Sequence, residues 1–123
     1  MRRYASLRGR REFALVLRRG KAASSHSVNV ISLAARAATA QPKVGIVITK
    51  KVGGAVVRNR LRRRCKSILD QHSREAQGHW LVITCKPPAA NLSYAALRGD
   101  LLRALQASKA RGQRMPALVA RQR

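Results

Sequence analysis

The chain has 123 residues, a size that suits one domain, and carries 27 Lys plus Arg against 4 Asp plus Glu, a formal net charge of +23. Such a charge works against compaction and favours polyanionic partners, while four scattered carboxylates (Glu12, Asp70, Glu75, Asp100) nearly exclude catalysis by paired acids. His26, His72 and His79 show no metal-ligand spacing with Cys65 and Cys85, and two cysteines 20 residues apart make no disulfide framework, so a reducing cytoplasm is the expected compartment. Val, Leu, Ile and Phe number 29, enough for a small core. No run of 18 apolar residues exists and the first residues lack a signal-like apolar stretch, so neither membrane span nor secretion is expected.

Residues 1–9 are basic and irregular. Phe13, Val16 and Leu17 fall at i, i+3, i+4, which predicts a helix over 10–19 with Gly20 at its C-terminal end. Within 27–35, Val28 and Val30 alternate and Ile31 and Leu33 alternate in the opposite phase, which predicts a strand with a bulge or break near 30–31. The Ala-rich stretch 34–42 is expected to be a flexible hairpin connection. Lys43–Thr49 reads as a strand, and Gly53-Gly54 leads into a helix from Ala55 whose apolar side carries Val57, Leu61, Cys65, Ile68 and His72. Trp80–Cys85 is a second clear strand, closed by Lys86-Pro87-Pro88. A last helix is expected over 93–107 on the stripe Tyr94, Leu97, Leu101, Leu105, and 108–123 reads as a disordered basic tail. The order implies one α/β (α+β) sandwich over 10–107, with a single mixed sheet of about four strands packed with three helices. The strand–helix–strand unit over 44–85 implies a parallel pair.

The segment Lys50–Lys66 is the informative one: 17 residues, eight of them Lys or Arg, none acidic. Arg58, Asn59, Arg62, Arg63 and Lys66 cover the helix side away from the apolar stripe, and Arg60 and Arg64 flank it. No acid lies at i+4 from these arginines, so intrahelical ion pairs do not account for the charge. A solvated basic face is the plain alternative, but the guanidinium fork matches phosphate oxygens and nothing local compensates it.

This segment resembles a known family. Arg58-Asn59-Arg60-Leu61-Arg62-Arg63, preceded by Lys50-Lys51-Val52-Gly53-Gly54-Ala55-Val56, is similar to the signature of the protein subunit of bacterial ribonuclease P. Phe13, Val16 and Gly20, and the strand Gly45-Ile46-Val47, match its other patterns, over roughly residues 7–107. The resemblance implies a single domain with a left-handed β-α-β crossover, the fold of the second domain of a small-subunit ribosomal protein. It implies a protein that serves a catalytic RNA in removing the 5′ leader of precursor tRNA. The RNA and its Mg²⁺ would do the chemistry, with no cofactor bound by the protein alone and no protein partner evident.

On this resemblance Arg58, Asn59, Arg60, Arg62, Arg63 and Lys66 would contact the catalytic RNA. Phe13, Lys50, Lys51, Arg10 and Arg11 would line the cleft for the leader. Departures from the family pattern concentrate in that cleft: Leu17 stands where a second aromatic is common, and Ser27 and Val28 where the first strand often has one. Ser67 replaces an acid. A ribosomal or other structural RNA-binding protein is the alternative in the same charge class. A DNA-binding regulator would need a helix-turn-helix or a dimer seam, and neither is visible.

Overall fold

The computed structural model describes residues 3–37 and 39–121, with side chains through residue 111. In chain order the elements are β1 (Ala5–Ser6), α1 (Gly9–Arg19), β2 (Lys21–Ser24), β3 (Val28–Ala34), β4 (Lys43–Ile48), α2 (Ala55–Gln71), the single turn α3 (Ser73–Ala76), β5 (His79–Cys85), a 3-10 turn at Pro87–Asn91 and α4 (Tyr94–Arg121). They build one five-stranded sheet in the order β1-β4-β5-β3-β2. β4 is parallel to β5 and to β1, while β3 is antiparallel to β5 and β2.

The core lies between one face of this sheet and the helices α2 and α4. Val28 and Val30 of β3, Val44 and Ile48 of β4, and Leu81, Ile83 and Cys85 of β5 meet Leu61, Cys65, Ile68 and Leu69 of α2 and Leu97, Leu101 and Leu105 of α4. Each Val, Leu and Ile among them contributes on the order of 1.5–3 kcal/mol by leaving water. The Cys65 and Cys85 sulfurs lie 3.8 Å apart in this core, both as free thiols, and the Cys85 sulfur and burial push the Cys65 thiol well up.

The other face of the sheet carries α1. Gly20 ends α1 with φ −74°, so it is not there for a left-handed turn. It is there for close approach: a Cβ on it would meet the Val16 carbonyl oxygen at 2.5 Å and Ile31 Cγ2 at 2.6 Å. Gly45 plays the same part at the other end of α1, where a Cβ would stand 2.9 Å from Phe13 Cε2. α1 therefore crosses the middle row of the sheet, Gly45–Val82–Ile31, which the strand register aligns. Val16 is fully buried there. Glu12 fixes the helix start, accepting the Arg8 backbone N–H and pairing with Lys43 Nζ at 2.8 Å.

Four expectations need correction. The sheet has five strands rather than about four, because β1 is two residues long and β2 reads Lys-Ala-Ala-Ser, with no alternation to detect. β3 has no bulge: it pairs without interruption from Val28↔Cys85 to Ala34↔His79. The change of phase arises because Ser32 faces the core while Ile31 and Leu33 face the α1 side, so both faces carry apolar residues. The 34–42 connection is no hairpin, since β5 lies between β3 and β4. It is tied to the turn before β5 by Ala35 N–H to the Gly78 carbonyl at 2.7 Å and Gly78 N–H to the Ala40 carbonyl at 2.9 Å. Finally, α4 continues past Ala107 to Arg121. Ser108 is buried with its hydroxyl on the Leu105 carbonyl, and Lys109 Nζ bonds the Glu75 carbonyl at 2.6 Å, so residues 108–111 belong to the packed body.

Asp100 is the one buried acid among the described residues, accepting the Ser27 hydroxyl at 2.5 Å and a hydrogen bond from Arg103. The Ser27 hydroxyl, then Arg103, hold its carboxyl below the usual aspartate range against the opposing pull of burial. A lowered carboxyl stabilises the fold at pH above its unfolded value of ~3.9, and the contribution disappears as pH falls through the lower folded value. Asp100→Ala leaves Ser27 buried without its partner and is expected to cost ~1–3 kcal/mol at neutral pH. Urea melts at pH 7 and pH 3 check both statements: the gap between native and variant should narrow at the acid end.

Candidate nucleic-acid interface

α2 follows β4 through a tight turn closed by Val52 N–H to the Thr49 carbonyl at 3.1 Å. Lys50 and Lys51 are exposed in that turn, and Gly54 caps the helix without any side-chain cap or any acid in the first turn. The stripe Leu61, Cys65, Ile68 and Leu69 is buried as its spacing requires, which turns Asn59 and Arg63 outward to solvent and leaves Arg58, Arg62 and Lys66 half-buried at the flanks.

The arginines divide by their partners. Arg60 donates to the Ala90 carbonyl at 3.1 Å and Arg64 to the Leu92 carbonyl at 3.0 Å, so these two fasten α2 to the 3-10 turn and the approach to α4. Arg62 reaches the Ile46 carbonyl at 3.5 Å, on the edge of β4 left open where β1 ends. Arg58 encloses its Nε without a hydrogen-bond partner, and Arg63 has no hydrogen bond among the described residues. The four Asp and Glu side chains are engaged elsewhere: Glu12 with Lys43, Glu75 with His72, Asp100 with Arg103, and Asp70 with the Arg3 backbone N–H. Among the described residues, no ion pair reaches Lys50, Lys51 or any cation of α2. The uncompensated charge seen along the sequence is thus uncompensated in space as well.

Phe13 is half-buried, its ring over Gly45. With Val16 facing the sheet, Phe13 and Leu17 lie on the side of α1 that looks toward the C-terminal end of β4, and Leu17 is 49% exposed. That side has a floor which sequence reading missed. Val47, Thr84 and Asn29 are half-buried neighbours in adjacent strands, on the α1 face of the sheet. Their signal was present as the off-phase positions of three strands, and it becomes readable only once strand order is known. Arg10 and Arg11 are exposed on the first turn of α1, and Arg10 shares a shallow pocket with Phe13 and Leu17. The structure thus brings Phe13 and Arg10 together beside Leu17, does not bring Arg11 to them, and holds the basic side of α2 on a separate element that follows β4 through the Lys50-Lys51 turn. Truncating Arg60 should act twice, lowering stability by ~1 kcal/mol through the lost Ala90 contact and weakening RNA binding. Arg58→Ala should weaken binding alone, and paired thermal melts and filter-binding titrations separate the two.

A small α+β domain thus sets an uncompensated cationic helix beside a cleft floored by Val47, Thr84 and Asn29. Comparison with known proteins gives the family. The family model described as Ribonuclease P matches residues 1–109. The chain is 44% identical over 103 residues to the ribonuclease P protein component of Thermus scotoductus, covering 84% of this chain and 59% of that protein. It is 38% identical over 101 residues to the component from a Nocardioides species, covering 80% and 86%. The RNase P protein of Staphylococcus aureus has the same fold, with a TM-score of 0.75 at 18% identity, covering 85% of this chain and 94% of that one. The chain belongs to the ribonuclease P protein family. The match spans less than two thirds of the Thermus relative's length.

Proposed function

We propose that this chain is the protein subunit of a ribonuclease P ribonucleoprotein, which binds the catalytic RNA through α2 and the 5′ leader of precursor tRNA through the Phe13 cleft. The observation that carries it is the set of α2 and turn cations with no ion pair among the described residues, on a member of this family. Arg58, Arg63 and Lys66 would meet phosphates, Asn59 a sugar or base edge, and Arg60 and Arg62 would add charge while bracing the helix. In the cleft, Phe13 would stack on a leader base over the floor of Val47, Thr84 and Asn29, with Lys50, Lys51, Arg10 and Arg11 along the backbone.

The protein's part in this reading is positional. Bringing two polyanions together needs counter-charge, which +23 supplies. In this reading Mg²⁺ belongs to the RNA, and the protein supplies charge and position. The cytoplasm is the proposed compartment; among the described residues no helix is long and apolar enough to cross a membrane. Sequencing the RNA retained by the tagged chain from its own cells tests the partner. One separate structured RNA is expected, and recovery of ribosomal RNA in intact subunits would favour a structural role in the ribosome instead.

A further inference from the structure

α1 divides the outer face of the sheet in two, and the half opposite the Phe13 cleft is also a groove. Leu15 and Glu12 project to this side, toward the N-terminal end of β4 and β5. A cavity of about 640 Å³ lies there, lined by Leu15, Leu33, Arg36, Lys43 and Trp80. A second cavity of about 430 Å³ continues it around the end of β3 and shares Leu33 and Arg36 with the first. Arg19, Lys21 and Lys109 close that second part. The two cavities meet at Leu33 and Arg36, with an indole in the first and a cluster of cations around the second.

Trp80 is half-buried, and the Lys43 ammonium sits 4.8 Å from its ring centroid, held there by Glu12 at 2.8 Å. Glu12 is occupied by that pair, and Glu75 turns its carboxylate to His72 while offering its carbonyl to Lys109. Arg19, Lys21 and Arg36 are exposed and meet no carboxylate among the described residues. An aromatic surface in line with unpaired cations is the pattern that holds a single strand of nucleic acid, bases on the ring and phosphates on the charges.

We propose that this groove binds a second single-stranded RNA segment, on the far side of α1 from the leader cleft. It rests on the reading of the chain as an RNA-binding subunit, and adds a site to it. The groove fits RNA through its uncompensated positive charge, which an apolar peptide or a second +23 chain would leave unmatched.

Trp80 is the sole tryptophan, so its fluorescence places the reporter in this groove. The full-length chain is titrated with a short oligouridylate, following Trp80 emission and, separately, the anisotropy of labelled oligomer. A saturable change in emission is expected. It should be kept in Arg58→Ala and Phe13→Ala, and shifted to weaker binding by roughly tenfold or more in Lys21→Ala/Arg36→Ala, which loses two charge contacts. Rising anisotropy with no change in emission would mean that RNA sits only in the cleft or on α2, and would overturn the groove while leaving the RNA-binding reading intact. An emission curve unmoved by the double variant would overturn it too. A change that follows protein concentration without RNA would assign the groove to a second copy instead. No binding by either signal would remove the RNA-binding reading and the groove together.

Discussion

Replacing Arg58 and Arg63 together by alanine is expected to weaken assembly with the catalytic RNA by about 3–6 kcal/mol, two charge-assisted contacts of about 1.5–3 kcal/mol each. The fold should be untouched. Neither side chain donates a hydrogen bond or forms an ion pair within the described residues, and neither sits in the buried stripe of α2. The slope of log affinity against log salt should fall by about two if both meet a duplex backbone, and by less on single strands. Filter binding over a salt series, with circular dichroism as the control for folding, measures both. Native affinity in the double variant would remove α2 as the main RNA contact.

The second large effect concerns Phe13. Its ring is half-buried over Gly45 rather than enclosed, so one part is packing and another faces the cleft beside Leu17. Phe13→Ala should lower affinity of the holoenzyme for precursor tRNA by ~1–3 kcal/mol, the worth of one stacked base. Mature tRNA, which has no leader, should bind almost as before. A fully enclosed phenylalanine would behave otherwise, destabilising the fold by ~3–5 kcal/mol and weakening both substrates alike. Binding of the two substrates, set beside one melting curve, separates these outcomes. Leu17 matters to the size of the expected effect: an aliphatic side chain 49% exposed on the cleft offers contact but no ring, so on this proposal the stacking would fall to Phe13 alone.

These expectations show what local pattern can and cannot carry. The stripes of α2 and α4 were readable because helical periodicity is local, and every buried residue of α2 lies on or beside the predicted face. The unpaired charge of α2 was readable for the same reason, since its four possible acidic partners could be counted. The floor of the cleft was not. Val47, Thr84 and Asn29 become neighbours only because β5 inserts between β3 and β4, and that strand arrives some thirty residues after β4 in the chain. The same insertion removed the hairpin expected at 34–42. Arg60 and Arg64 likewise look like surface charges until the 3-10 turn brings the Ala90 and Leu92 carbonyls to them. The apparent slip in β3 is a case where pattern was present and its cause was not, because an apolar Ile31 on the outer face makes sense only under α1.

On the proposed reading this chain positions RNA and leaves the cutting to it. Cleavage of a precursor tRNA at the mature 5′ end should be followed at low and high Mg²⁺ with the protein alone, the cognate RNA alone and both together. No product is expected from protein alone at either concentration, slow cleavage by RNA alone that needs high Mg²⁺, and rapid cleavage at low Mg²⁺ only when both are present. Correct cleavage by RNA-free protein, or an RNA whose rate at low Mg²⁺ is unchanged by adding the protein, would overturn that division of roles.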